Sequence, residues 1–80
     1  MTKYKLLTKK GSLNTYNFDT IDGEGKFSID SLSGKFSLLE TKSFLKGREM
    51  NKKNLDYILQ IGAEKIIEQN FPESLVYATH

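Results

Sequence analysis

The sequence predicts a two-layer α+β domain: a four-stranded antiparallel meander, one C-terminal helix packed on one of its faces, and a short C-terminal strand. Three observations carry this expectation. Apolar and polar residues alternate with period two through much of the first half. Glycine-bearing turn signals recur between these runs, at Gly11, Asp22-Gly23 and Gly34. In the second half, Leu55, Ile58, Leu59, Gly62 and Ile66 repeat at helical spacing.

The four strands occupy residues 1–40. Gly25–Asp30 and Lys35–Leu38 alternate cleanly around Ser31-Leu32-Ser33-Gly34. A four-residue loop built on a type I turn favours Asp before it and a left-handed residue at its end, which Asp30 and Gly34 supply. That register sets Ile29 opposite Phe36, Phe27 opposite Leu38 and Asp30 opposite Lys35. Asp22-Gly23 is a type I′ signal that sets Phe18 opposite Phe27 and Tyr16 opposite Ile29. Lys9-Lys10-Gly11 suits a three-residue loop with Gly in the left-handed position, setting Tyr4 opposite Tyr16 and Leu6 opposite Asn14. All three ladders place Tyr4, Leu6, Tyr16, Phe18, Phe27, Ile29, Phe36 and Leu38 on one apolar face. The recurrence of Gly-Lys-Phe-Ser at 25–28 and 34–37 marks two similar strands of one hairpin.

Residues 41–50 read as a polar connection and 51–70 as the helix, with Asn51 or Asn54 as its N-cap. Gly62 lies mid-face, where a helix tolerates Gly at a cost of about 1 kcal/mol. Its presence there suits a close approach of helix backbone to the aromatic sheet. Pro72 ends the helix. Residues 74–78 read as a strand joining a sheet edge, with Leu75 and Tyr77 on one side. The helical stripe and the apolar face each need a cover, and each is the other's.

Eighty residues, 38% hydrophobic and 28% charged, make a single globular domain. A core of this size supports only about 3–5 kcal/mol of stability. The chain has no cysteine, and its one histidine is His80. Disulfides, thiolate zinc sites and an internal catalytic histidine are therefore excluded. The first residues lack the apolar run of a signal peptide, and no stretch is long and apolar enough to span a bilayer. A cytoplasmic protein without membrane contact is the expectation.

The motifs for chemistry fail one by one. Gly23-Glu24-Gly25-Lys26 resembles the end of a phosphate loop, but Thr20 and Phe27 stand where Gly and Ser/Thr are required. Asp19, Asp22 and Glu24 lack the calcium-loop spacing, because Glu24 occupies the position that needs Gly. The serines have no histidine to activate them. The sequence thus points away from an enzyme and calls for no cofactor or metal.

Two surfaces are candidates for partner binding. Residues 1–53 hold eleven basic and six acidic residues, net +5, whereas 54–80 carry net −3. Lys46, Arg48, Lys52 and Lys53 cluster around the expected helix start, where the helix dipole disfavours cations. That arrangement suits an anionic partner. Leu7, Leu13 and Leu39 fall on the sheet face away from the helix, with Leu7 and Leu13 expected as cross-strand neighbours. The leading expectation is a small interaction protein of the bacterial or phage accessory or inhibitor kind that binds an as yet unidentified protein. The alternatives are weak nucleic-acid binding through the basic cluster, extended by Lys9 and Lys10, and homodimerisation through the terminal strand or the outer leucines.

Overall fold

A computed structural model describes residues 1–44 and 51–77 of the chain. The elements are strands β1 (Thr2–Lys10), β2 (Leu13–Asp19), β3 (Gly23–Asp30) and β4 (Phe36–Ser43), helix α1 (Lys52–Glu68) and strand β5 (Ser74–Tyr77). They form one five-stranded antiparallel sheet in the order β4-β3-β2-β1-β5, with the helix on one face. The predicted α+β meander with its helix and extra strand is the fold of this chain. Two boundaries move. β4 runs to Ser43, three residues into the stretch expected as connection, and the helix is a little shorter than 51–70 at each end. The rest of that connection, 45–50, lies outside the described residues.

The last hairpin has the expected geometry. Ile29 pairs with Phe36 and Phe27 with Leu38. Gly34 has φ +75°, and the Asp30 carboxylate accepts from the backbone N–H of Leu32 at 2.8 Å and of Ser33 at 3.4 Å. The Leu32 hydrogen bond is the main cause holding the Asp30 carboxyl below its ordinary range.

The other two registers differ from expectation. Tyr16 pairs with Phe27 and Phe18 with Gly25, a shift of two residues. The tight turn is centred on Ile21-Asp22, with Thr20 N–H donating to Gly23 O at 2.8 Å. The Thr20 hydroxyl oxygen also accepts from the N–H of Asp22 and Gly23, both at 3.1 Å. This turn needs no left-handed residue, and Gly23 does not adopt one. Packing explains the shift: the Phe18 ring lies across Gly25, where a Cβ would fall 2.5 Å from the ring and would also meet the Glu40 carbonyl. In the first hairpin the turn is Gly11-Ser12, with Gly11 at φ +59° in the first central position, as a type II′ turn requires. Tyr4 pairs with Phe18 and Leu6 with Tyr16, and the ladder then skips Leu7 in a bulge.

A slip of two residues leaves every side chain on its predicted face, because the strand period is two. Tyr4, Tyr16, Phe18, Phe27 and Ile29 are accordingly buried against Ile58, Leu59, Ala63 and Ile66 of α1, with Leu75 of β5. Phe27 is the hub: its ring stands 6.1 Å from Tyr4, 6.3 Å from Tyr16 and 5.9 Å from Phe18. Gly62 lets the helix press onto Tyr4, since a Cβ there would lie 2.6 Å from the ring Cζ. The Tyr4 hydroxyl donates to Ile58 O at 2.7 Å on the same helix.

Asn51 is the N-cap, its side-chain oxygen accepting from Lys53 N–H at 2.9 Å and Asn54 N–H at 3.3 Å. The helix closes in a Schellman motif: Phe71 N–H donates to Ile66 O and Asn70 N–H to Ile67 O. Asn70 and Phe71 both have positive φ, 59° and 55°. Phe71 is held there by packing on the core. The Tyr16 hydroxyl donates to Pro72 O at 2.6 Å, tying the helix exit to the middle of the sheet. β5 then returns antiparallel to β1, with Leu75 opposite Tyr4 and Tyr77 opposite Thr2.

Candidate interaction surfaces

The helix buries the core side chains of β1, β2, β3 and β5, and it also approaches β4. Phe36 and Leu38 lie on the predicted apolar face but are 39% and 43% exposed. This corrects the expectation that the whole face is core: both residues stand on the edge strand, and the helix approaches that strand without burying them. Ile67, near the end of the helix, is 42% exposed. Its Cδ1 comes within 3.9 Å of where a side chain at Gly34 would begin. Phe36 and Leu38 thus put exposed apolar surface on the edge strand, and Ile67 lies close to Gly34, two residues before Phe36.

β4 is also an edge strand. Asp30 N–H donates to Lys35 O at one end of the β3–β4 ladder, and Phe44 N–H to Asp22 O at the other, both at 2.9 Å. Pairs alternate between hydrogen-bonded and non-hydrogen-bonded along an antiparallel ladder. Counting from Phe44, Lys42 is bonded to β3, whereas Thr41 turns its N–H and C=O to the open edge. Between these ends the ladder skips Leu39 in a second bulge. Bulges and charges are common ways to blunt an edge.

The three outer leucines are exposed but do not form one patch. Leu7 and Leu13 are not cross-strand neighbours: Leu13 pairs with Lys10, and Leu7 sits in the bulge. Leu39 lies on β4, three strand spacings from β1, or about 14 Å. Between them the outer face is polar and mixed in sign. Its cross-strand rows read Lys3, Asp19, Glu24, Lys42 and Lys5, Asn17, Lys26, Glu40. Lys26 and Glu40 form an ion pair at 3.1 Å.

Of the basic cluster, Lys52 and Lys53 lie exposed in the first helical turn, which carries no acidic residue. Lys46 and Arg48 lie outside the described residues. Lys9 and Lys10 are not brought to this site. The start of the helix borders a hollow of about 130 Å³ shared with Met1 and the Thr20–Asp22 turn. Lys10 is at the far end of β1, about 25 Å along the strand. Among the described residues no group of three or more His, Cys, Asp or Glu side chains could hold a metal ion. Nor is any helix among them long and apolar enough to cross a membrane. Comparison with protein-family models, curated proteins and solved structures finds no match to this chain.

The exposure of Phe36 and Leu38 was hidden from sequence reasoning because alternation tells which face a residue takes, not how deeply it is buried there. The signal available was position: the last strand of a meander is an outer edge, with a neighbour on one side only.

Proposed function

We propose that this chain is a small non-enzymatic interaction protein that works in the cytoplasm by occupying the surface of a partner protein, as bacterial or phage accessory proteins and inhibitors do. One observation carries the proposal: Phe36 and Leu38 stand half-exposed on the edge strand β4, with the half-exposed Ile67 close to Gly34 just before that strand. Clustered apolar exposure next to unpaired backbone is the pattern that protein contacts use. The absence of cysteine and of any histidine before His80 fits a role without chemistry. The test is capture from the native cytosol with wild-type protein and with Phe36→Ser and Leu38→Ser, each checked for folding by circular dichroism. A partner held by the wild type and released by both variants supports the proposal. Capture indifferent to both, or turnover of a small molecule by the purified chain, overturns it.

The alternative is weak nucleic-acid binding through Lys46, Arg48, Lys52 and Lys53, and the exposed Lys52–Lys53 pair favours it. Its signature is a gel shift at low salt that falls steeply as salt rises. The absence of a shift at high micromolar protein eliminates it.

A further inference from the structure

We infer that the β4 edge is a self-complementary seam that pairs antiparallel with the same strand of a second copy, across a two-fold axis at Thr41. The bulge at Leu39 confines regular pairing to the stretch that follows it, and there the register is determined by charge and face. Thr41 directs its N–H and C=O to the open edge, so a Thr41–Thr41 pair across the axis makes two backbone hydrogen bonds. The same register sets Glu40 of each copy opposite Lys42 of the other. Both residues stand on the outer face, and both are exposed. The nearest alternatives that keep the faces matched oppose Glu40 to Glu40 or Lys42 to Lys42, and like charges directly opposite are destabilising. Shifts by one residue set inward residues against outward ones.

The seam also extends a pattern already present within each sheet. Lys26 is ion-paired with Glu40 at 3.1 Å, and Lys42 stands opposite Glu24. Across the axis the outer row becomes Lys26, Glu40, Lys42, Glu24, alternating in sign through four strands of two copies. This inference shares the β4 strand with the heterotypic reading above but rests on different groups: it uses the backbone of Thr41 and the charges beside it, whereas that reading uses the exposed Phe36, Leu38 and Ile67.

The seam is short, and small interfaces are weak. Association is therefore read by sedimentation equilibrium up to about 1 mM, with weight-average mass rising from 9.1 kDa toward twice that value. Glu40→Lys alone and Lys42→Glu alone should each weaken the dimer about tenfold. An equimolar mixture of the two variants should recover association, because every cross-axis pair is then again of opposite sign. Thr41→Pro removes the outward N–H at an edge position where proline is tolerated, and should abolish the dimer with the circular dichroism spectrum retained. A wild-type monomer at 1 mM overturns the inference. So does a dimer indifferent to the single charge variants, or a mixture that does not recover.

Discussion

The two halves of this sheet start from the same alternating pattern and end in different states. Phe27 and Leu38 face each other across β3 and β4, yet Phe27 has no solvent exposure and Leu38 is almost half exposed. The difference lies in the cover. Helix α1 buries the apolar side chains of β1–β3 and β5, whereas on β4, the edge strand, Phe36 and Leu38 stay exposed although the helix approaches that strand too. Burial drives stability, and exposure of the same residue types leaves a surface open to contact. The buried half is what keeps the chain folded, and the exposed side chains of the edge strand add little to it.

The largest expected effect tests that division directly. Phe27→Ala empties the centre of the aromatic cluster and should cost about 3–5 kcal/mol. That is comparable to the whole stability expected of so small a domain. Leu38→Ala, on the cross-strand partner, should cost less than about 1 kcal/mol. Urea unfolding of the two variants decides the matter. Equal losses would show that β4 is as much part of the core as β3.

The sequence carries the core faces legibly because the strand period is two, and errors of two residues do not move a side chain across the sheet. Registers were less legible. Asp22-Gly23 is a strong turn signal, but the fit of the Phe18 ring over Gly25 outweighs it, and that fit involves residues seven apart on different strands. The bulges at Leu7 and Leu39 have no local marker such as glycine, so the expected contact of Leu7 with Leu13 fails. The position of the C-terminal strand is set by the helix exit, where Phe71 and Pro72 bring the chain back toward β1. Of the candidate site, the exposed leucines were legible as outward residues. The exposure of Phe36 and Leu38 was not, because it depends on the place of β4 at the sheet edge and not on any residue of the strand.

A smaller effect probes the pressure of the helix on the buried half. Gly62→Ala should raise helix propensity by about 1 kcal/mol. Its Cβ, however, would fall 2.6 Å from Tyr4 Cζ and 2.8 Å from its hydroxyl oxygen. Tyr4 is fully buried and hydrogen-bonded to Ile58 O, so it has little room to yield. Overpacking of this kind costs about 1–3 kcal/mol, and a net loss of stability is expected. A gain in thermal midpoint would show that the helix rides clear of the sheet.

The smallest effect distinguishes the two halves by pH. Burial raises the Tyr4 hydroxyl well above the ordinary tyrosine range and pushes that of Tyr16 up to about 12. In the unfolded chain both ionise near their ordinary value of about 10. Above that pH the unfolded state releases protons that the folded state retains, so stability falls as pH rises from about 10 toward 12. Tyr16→Phe should lose about 1 kcal/mol at pH 7, where the bond to Pro72 O is intact. It should also show a shallower alkaline decline, with the Tyr4 share remaining. Phe36 and Leu38 do not ionise, so serine at either position should leave the alkaline slope unchanged. Urea midpoints at pH 7, 9 and 11 separate these cases. Parallel alkaline slopes for wild type and Tyr16→Phe would show that the Tyr16 hydroxyl is not sealed under the helix exit.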